Sequence, residues 1–133
     1  KVLFRVKGGG MIAVETELAD NKASIPNLVT SKVMLALANK AEQELFTNKY
    51  LTENEQSKQK FLKQIQRDSK KIRKIGLAEA VNGELASLAV PVVDKNSSLV
   101  CAIGVYAPSF RFSPQKRKQI IADLKNIAQK ISL

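Results

Sequence analysis

The sequence predicts an α+β domain, an antiparallel sheet with helices packed beside it. Three observations carry that reading. Apolar residues alternate with period two in some segments and recur at helical spacing in others, in the order β-β-α-α-β-β-β-α, which groups the strands instead of alternating each with a helix. Residues 85–94 and 99–107 form two apolar runs across a four-residue polar turn, the signature of a long hairpin. At 133 residues the chain has the length of one domain, enough to bury roughly two thirds of the surface its unfolded form exposes.

Residues 2–6 and 11–17 read as strands joined by Lys7-Gly8-Gly9-Gly10, whose glycines supply the positive φ of a tight turn. A phosphate-cradling loop is the competing reading, but no Gly-Lys-Ser/Thr follows and no helix pattern starts there. Residues 19–26 are polar and irregular. Thr30 or Ser31 then caps a helix in which Val33, Met34, Leu37, Ala38, Ala41 and Leu45 repeat at helical spacing, ending near Phe46. Thr52 and Glu55 make a capping box for a second helix that runs to about Lys74, with Phe61, Leu62, Ile65, Ile72 and Ile75 as its buried stripe.

Gly76 stops that helix, and residues 77–81 form a short strand before the long hairpin. In the last strand Leu99, Cys101, Ile103 and Val105 point one way, and Val100, Ala102, Gly104 and Tyr106 the other. A glycine inside a strand marks a bulge or a close approach by backbone or ligand. Ser113-Pro114 starts the closing helix, whose apolar stripe is Ile120, Ile121, Leu124, Ile127, Ala128 and Ile131.

Composition narrows the chemistry. The chain has no histidine and one cysteine, Cys101, so histidine-dependent triads, His-ligated zinc sites and an internal disulfide are excluded. No cofactor, metal site or catalytic residue is expected, and a reducing cytoplasm is the expected location. No apolar run approaches the ~18–20 residues that cross a bilayer. The net charge of +10 is concentrated: residues 1–56 are neutral, whereas residues 57–75 carry eight basic side chains against Asp68 alone. A solvated helix face with cations matched to the helix dipole accounts for that segment. Phosphate contact and a membrane surface are the alternatives, and the segment's one aromatic, Phe61, belongs to the buried stripe instead of a surface that stacks on single strands.

The blocks SLAVPVVD (87–94) and LVCAIGVYAPSFRF (99–112), with the SKVMLA helix start at 31–36, resemble the C-terminal effector-binding domain of IclR-family transcription regulators. The resemblance runs through nearly the whole chain, and the 87–112 block is its specific part. It implies a GAF-like (profilin-like) fold and a single sensing domain, 1–133, excised from a longer chain with an N-terminal winged helix-turn-helix. The chain opens on Lys1, with Met11 its earliest methionine, in keeping with a fragment. Partners implied are a small organic effector, further copies in a homodimer or tetramer, and DNA through the preceding domain instead of this one.

By the same resemblance the effector contacts fall on Val29 and Thr30 before the helix start, on Glu79, on Ser87, and on Gly104 and Tyr106. Amides at a helix start favour a carboxylate. Relatives with small oxo-acid effectors carry serines where this chain has Gly104 and Tyr106, and a glycine where it has Ser31, so a glyoxylate-like effector does not follow. A more apolar ligand and a closed pocket both remain open, as does a stand-alone interaction module without effector. Gly104→Leu is expected to abolish effector response with the fold intact.

Overall fold

A computed structural model of the chain describes residues 28–51 and 54–131, so the first hairpin at 2–17, its glycine turn and the loop at 19–26 lie outside the described residues. The elements are α1 (Val29–Leu37), α2 (Lys40–Tyr50), α3 (Glu55–Ile75), β1 (Ala78–Asn82), β2 (Leu85–Val93), β3 (Leu99–Pro108), a short 3-10 turn (Ser109–Arg111) and α4 (Pro114–Ile131). The three strands form an antiparallel sheet in the order β1-β2-β3. The α+β class and the strand order of the second half stand as the sequence predicted.

The helix expected to run unbroken to Phe46 is two helices. Asn39 caps the second: its Oδ1 accepts from the Glu42 amide at 2.8 Å, which satisfies one of the free amides at the helix start. The closing carbonyls of α1 find other donors. Gln43 Nε2 donates to Leu35 O at 2.8 Å, and Arg73 Nε, from α3, donates to Ala36 O at 2.6 Å. Likewise, α3 begins two residues later than the capping box proposed, because Asn54 is the cap and its side chain accepts from the Ser57 amide at 2.8 Å. Gly76 ends α3 at φ 71°, the left-handed cap conformation that glycine adopts without strain. Ser113 caps α4 through a bond from the Lys116 amide, with Pro114 in the first helical position as expected.

The two faces of the sheet carry separate cores. On one, Val29, Val33 and Ala36 of α1 pack with Ile72 of α3 against Ala78 and Ala89. On the other, Leu124 and Ala128 of α4 pack against Leu77, Leu88, Val90 and Val92, with Cys101, Ile103, Val105, Ile120 and Ile121 alongside. Each large apolar side chain so enclosed contributes about 1.5–3 kcal/mol. The predicted alternation of β3 holds from Cys101 to Tyr106. It breaks before that, because the register shifts between Val92 and Val93 and Leu99 stands opposite Val93. Several residues assigned to buried stripes face outward: Met34, Leu45, Ile75, Ile127 and Ile131 are all exposed. Helical spacing places them near the stripe, but no neighbouring element among the described residues covers them.

Candidate functional site

Directly opposed residues of an antiparallel sheet share a face. Ala80, Ser87 and Tyr106 make one rung of this sheet, and Ala78, Ala89 and Gly104 make the next. Both rungs face α1. Gly104 sits in regular register opposite Ala89, so it marks no bulge. It marks a close approach, by the backbone of the paired strand β2 at Leu88 and by α1 at Thr30. A Cβ on Gly104 would lie 2.9 Å from Leu88 O, 3.2 Å from Thr30 Cγ2 and 3.3 Å from Ala89 Cβ. Any larger residue must therefore displace backbone, which overturns the expectation that Gly104→Leu leaves the fold intact.

The first turn of α1 lies beside this surface, with Thr30 next to Gly104. Leu28 is the N-cap and offers no capping side chain, and no acid stands in the first turn. Lys32 is the first residue whose amide reaches an intrahelical acceptor, Leu28 O at 3.1 Å. Among the described residues no side chain caps the amides that precede it. With the helix dipole they favour negative charge at that end.

The structure brings most, though not all, of the expected site residues together. Thr30 meets Gly104 directly. Ser87 and Tyr106 pair across β2 and β3 one rung away, both half-buried. The Ser87 hydroxyl donates to Ala80 O at 3.4 Å, long for such a bond. Val29 is buried in the core with Ala78 and Ala89, so its side chain belongs to the packing. Glu79 is elsewhere. Its rung is Glu79–Leu88–Val105 on the α4 face, where its carboxylate accepts two-pronged bonds from Arg117 at 2.8–3.0 Å. It does not join the other five.

Ala89 is a wall of this surface that sequence reading passed over. The available signal was the run of small residues Ala78, Ala80, Ala89, Ala102 and Gly104, which the strand register gathers on one face. Separately, an open surface depression of about 350 Å³ runs along Glu55, Gln56, Gln59, Lys60 and Lys63 of α3, and none of the site residues lines it. Among the described residues no cluster of His, Cys, Asp or Glu is arranged to hold a metal. No described helix is long and apolar enough to cross a membrane.

Comparison with known proteins bears on this fold and surface. The family described as bacterial transcriptional regulator IclR, C-terminal, matches residues 29–133. No curated protein matches the chain. Among solved structures, an IclR transcriptional regulator from Alicyclobacillus acidocaldarius is similar, with TM-score 0.68 and 12% identity, over 96% of this chain and 52% of that one. The C-terminal domain of the Escherichia coli regulator KdgR gives TM-score 0.63 and 21% identity, over 81% of this chain and 68% of that one. The inducer-binding domain of the Acinetobacter transcription factor PobR, a double mutant in complex with 3-hydroxybenzoic acid, gives TM-score 0.59 and 19% identity, over 80% and 63%. At such identities these likenesses speak for the fold. The chain spans about half the length of the Alicyclobacillus regulator, 52%. The family match covers all the described elements, with the two layers of core and the sheet between them, and the chain belongs to the C-terminal domain family of the IclR transcriptional regulators.

Proposed function

We propose that this chain is the effector-sensing part of a longer, cytoplasmic transcription regulator. A small organic effector is held between the first turn of α1 and the β2–β3 hairpin. The observation that carries this reading is the seating of an uncapped helix start over a sheet face of small residues. The amides of Val29 and Thr30 receive a carboxylate, the hydroxyls of Ser87 and Tyr106 orient the rest of the ligand, and Gly104 with Ala89 forms an apolar floor. Such a site, a few convergent polar groups on an apolar surface, binds without reactive machinery, and the chain performs no catalysis. The PobR domain, which shares the fold, is described with an aromatic acid as its inducer complex, and aromatic monocarboxylates are the first class to try here. Binding acts on transcription only if the ligand prefers one arrangement of the assembly. That assembly is a homodimer or tetramer, and an N-terminal winged helix-turn-helix holds the operator.

A thermal-shift screen against aromatic and aliphatic carboxylic acids tests the reading. A true effector at a hundredfold excess over its Kd adds about 2.7 kcal/mol of stability, on the order of 10 °C for a domain of this size. Ser87→Ala should shrink that shift while Glu79→Gln leaves it unchanged. If no acid moves the melting temperature, the sensor reading fails. One observation favours the alternative of an interaction module without effector: the Thr30 methyl already rests against Gly104. That arrangement would leave melting insensitive to every acid in the panel.

A further inference from the structure

The cations of α3 are sorted by the helix in a way that charge counting along the chain does not reveal. Lys60, Lys63, Arg67, Lys70, Lys71 and Lys74 recur at spacings of three, four and seven residues, which places them on one face. All six are exposed. The buried residues of the helix, Ile65 and Ile72, fall on the opposite side. Among the described residues no carboxylate pairs with any of the six. The acids of the helix, Glu55 and Asp68, are engaged by Gln59 and Gln64.

Matching of the helix dipole explains only part of this row. The dipole's influence falls off within the last turn, so it bears on Lys71 and Lys74 and not on Lys60, Lys63 or Arg67. Like charges three and four residues apart each destabilise a helix by a few tenths of a kcal/mol, and here they follow one another through the helix. Among the described residues the row therefore costs stability and meets no opposing charge. Its span from Lys60 to Lys74 is about 21 Å at ~1.5 Å per residue, which sets the six charges roughly 4 Å apart along the helix axis. Duplex DNA presents one phosphate per ~3.4 Å of axis along each strand.

We infer that the outward face of α3 contacts the phosphate backbone of duplex DNA, independently of any effector. The sequence places DNA on a preceding domain and leaves phosphate contact by this segment as an alternative; the alignment of these six cations favours a sequence-independent contact made by this domain itself. The face carries no aromatic residue to stack on unpaired bases, as single-strand binding requires. It also carries no apolar residue to enter a bilayer, as an interfacial helix requires. A uniform phosphate rail is what remains in accord with it, and it would help hold the regulator beside its operator without choosing the sequence.

The test is fluorescence anisotropy of the 133-residue chain with a labelled duplex of arbitrary sequence, over a series of salt concentrations. With four or five phosphates engaged, log K should fall against log salt with a slope of about −4, near −0.9 per phosphate. Lys63→Gln, Arg67→Gln and Lys70→Gln combined should reduce the steepness by about 2.7 on the same relation and weaken low-salt binding by at least about tenfold. Lys63→Arg with Lys70→Arg should restore neither loss nor gain relative to the parent chain. Because these residues face outward, circular dichroism of the triple variant should match the parent. A control of equal charge, Lys116→Gln with Lys118→Gln and Lys130→Gln on α4, should bind almost as the parent does. An equal loss in that control would overturn the inference, since net charge alone would then explain binding. Tighter association with single-stranded DNA or with phosphatidylserine vesicles than with duplex would overturn it as well.

Discussion

The two faces of one sheet are built on opposite rules. Toward α4 the rungs are large: Leu88 with Val105, Val90 with Ile103, and Val92 with Cys101. Toward α1 they are small apart from Tyr106: Ala80 with Ser87 and Tyr106, Ala78 with Ala89 and Gly104, and Pro91 with Ala102. Large rungs keep a helix at a distance set by interdigitating side chains, and the one acid on that face, Glu79, is taken up by Arg117. Small rungs let α1 come down until Thr30 meets the space above Gly104, with hydroxyls on the neighbouring rung. An arginine helps secure each helix, by different means. Arg73 of α3 donates to the carbonyls that end α1, whereas Arg117 of α4 grips Glu79 on the sheet. The difference teaches that stability and recognition are divided between faces: the α4 side is a filled core, and the α1 side is a close-fitting surface with polar groups at its rim.

Substitutions can break or sharpen that division. The largest effect is expected on the filled face. Leu88→Ala removes a side chain that is 3% exposed and should cost about 2–5 kcal/mol, read from the urea midpoint; a loss under 1 kcal/mol would mean that α4 is not held by these rungs. Next, Gly104→Leu should cost about 1–3 kcal/mol by overpacking and should lift α1 from the sheet, visible as faster amide exchange in α1 than in α4. Uniform exchange in both helices would show that the close approach at Gly104 is not specific to α1.

Smaller effects separate the two arginines. Arg73→Gln removes a charge-assisted bond to Ala36 O and should cost about 1–2 kcal/mol, again with α1 the element most loosened. Glu79→Gln removes a pair whose side chains are 38% and 53% exposed, and an exposed pair is worth about 0.2–1 kcal/mol after screening. Its loss should shift the thermal midpoint by only a few degrees, and raising the salt concentration should shrink the difference from the parent. A salt-independent loss would show that the pair acts through packing.

Much of this architecture was legible in the chain itself. Gly76 as a stop, Ser113-Pro114 as a start and the alternation from Cys101 to Tyr106 are local signals, since each depends on backbone conformation at one or two residues. The break between α1 and α2 was legible too, in Asn39 followed by Glu42, but the apolar spacing across it reads as one helix. The site was legible in part. Thr30, Ser87, Gly104 and Tyr106 gather on one face, whereas Glu79 does not, because its side of the sheet depends on the register of β1 against β2.

By itself the sequence determined the kinds of elements, their order and where most of them stop, because periodicity, caps and glycines act over a few residues. Only the tertiary structure decided which of these meet: that Thr30 approaches Gly104, that Glu79 belongs to Arg117, and that no described element covers Ile75 and Ile127. The physical reason is that contact between elements depends on register and on the sizes of side chains drawn from distant segments. No window of neighbouring residues contains that information.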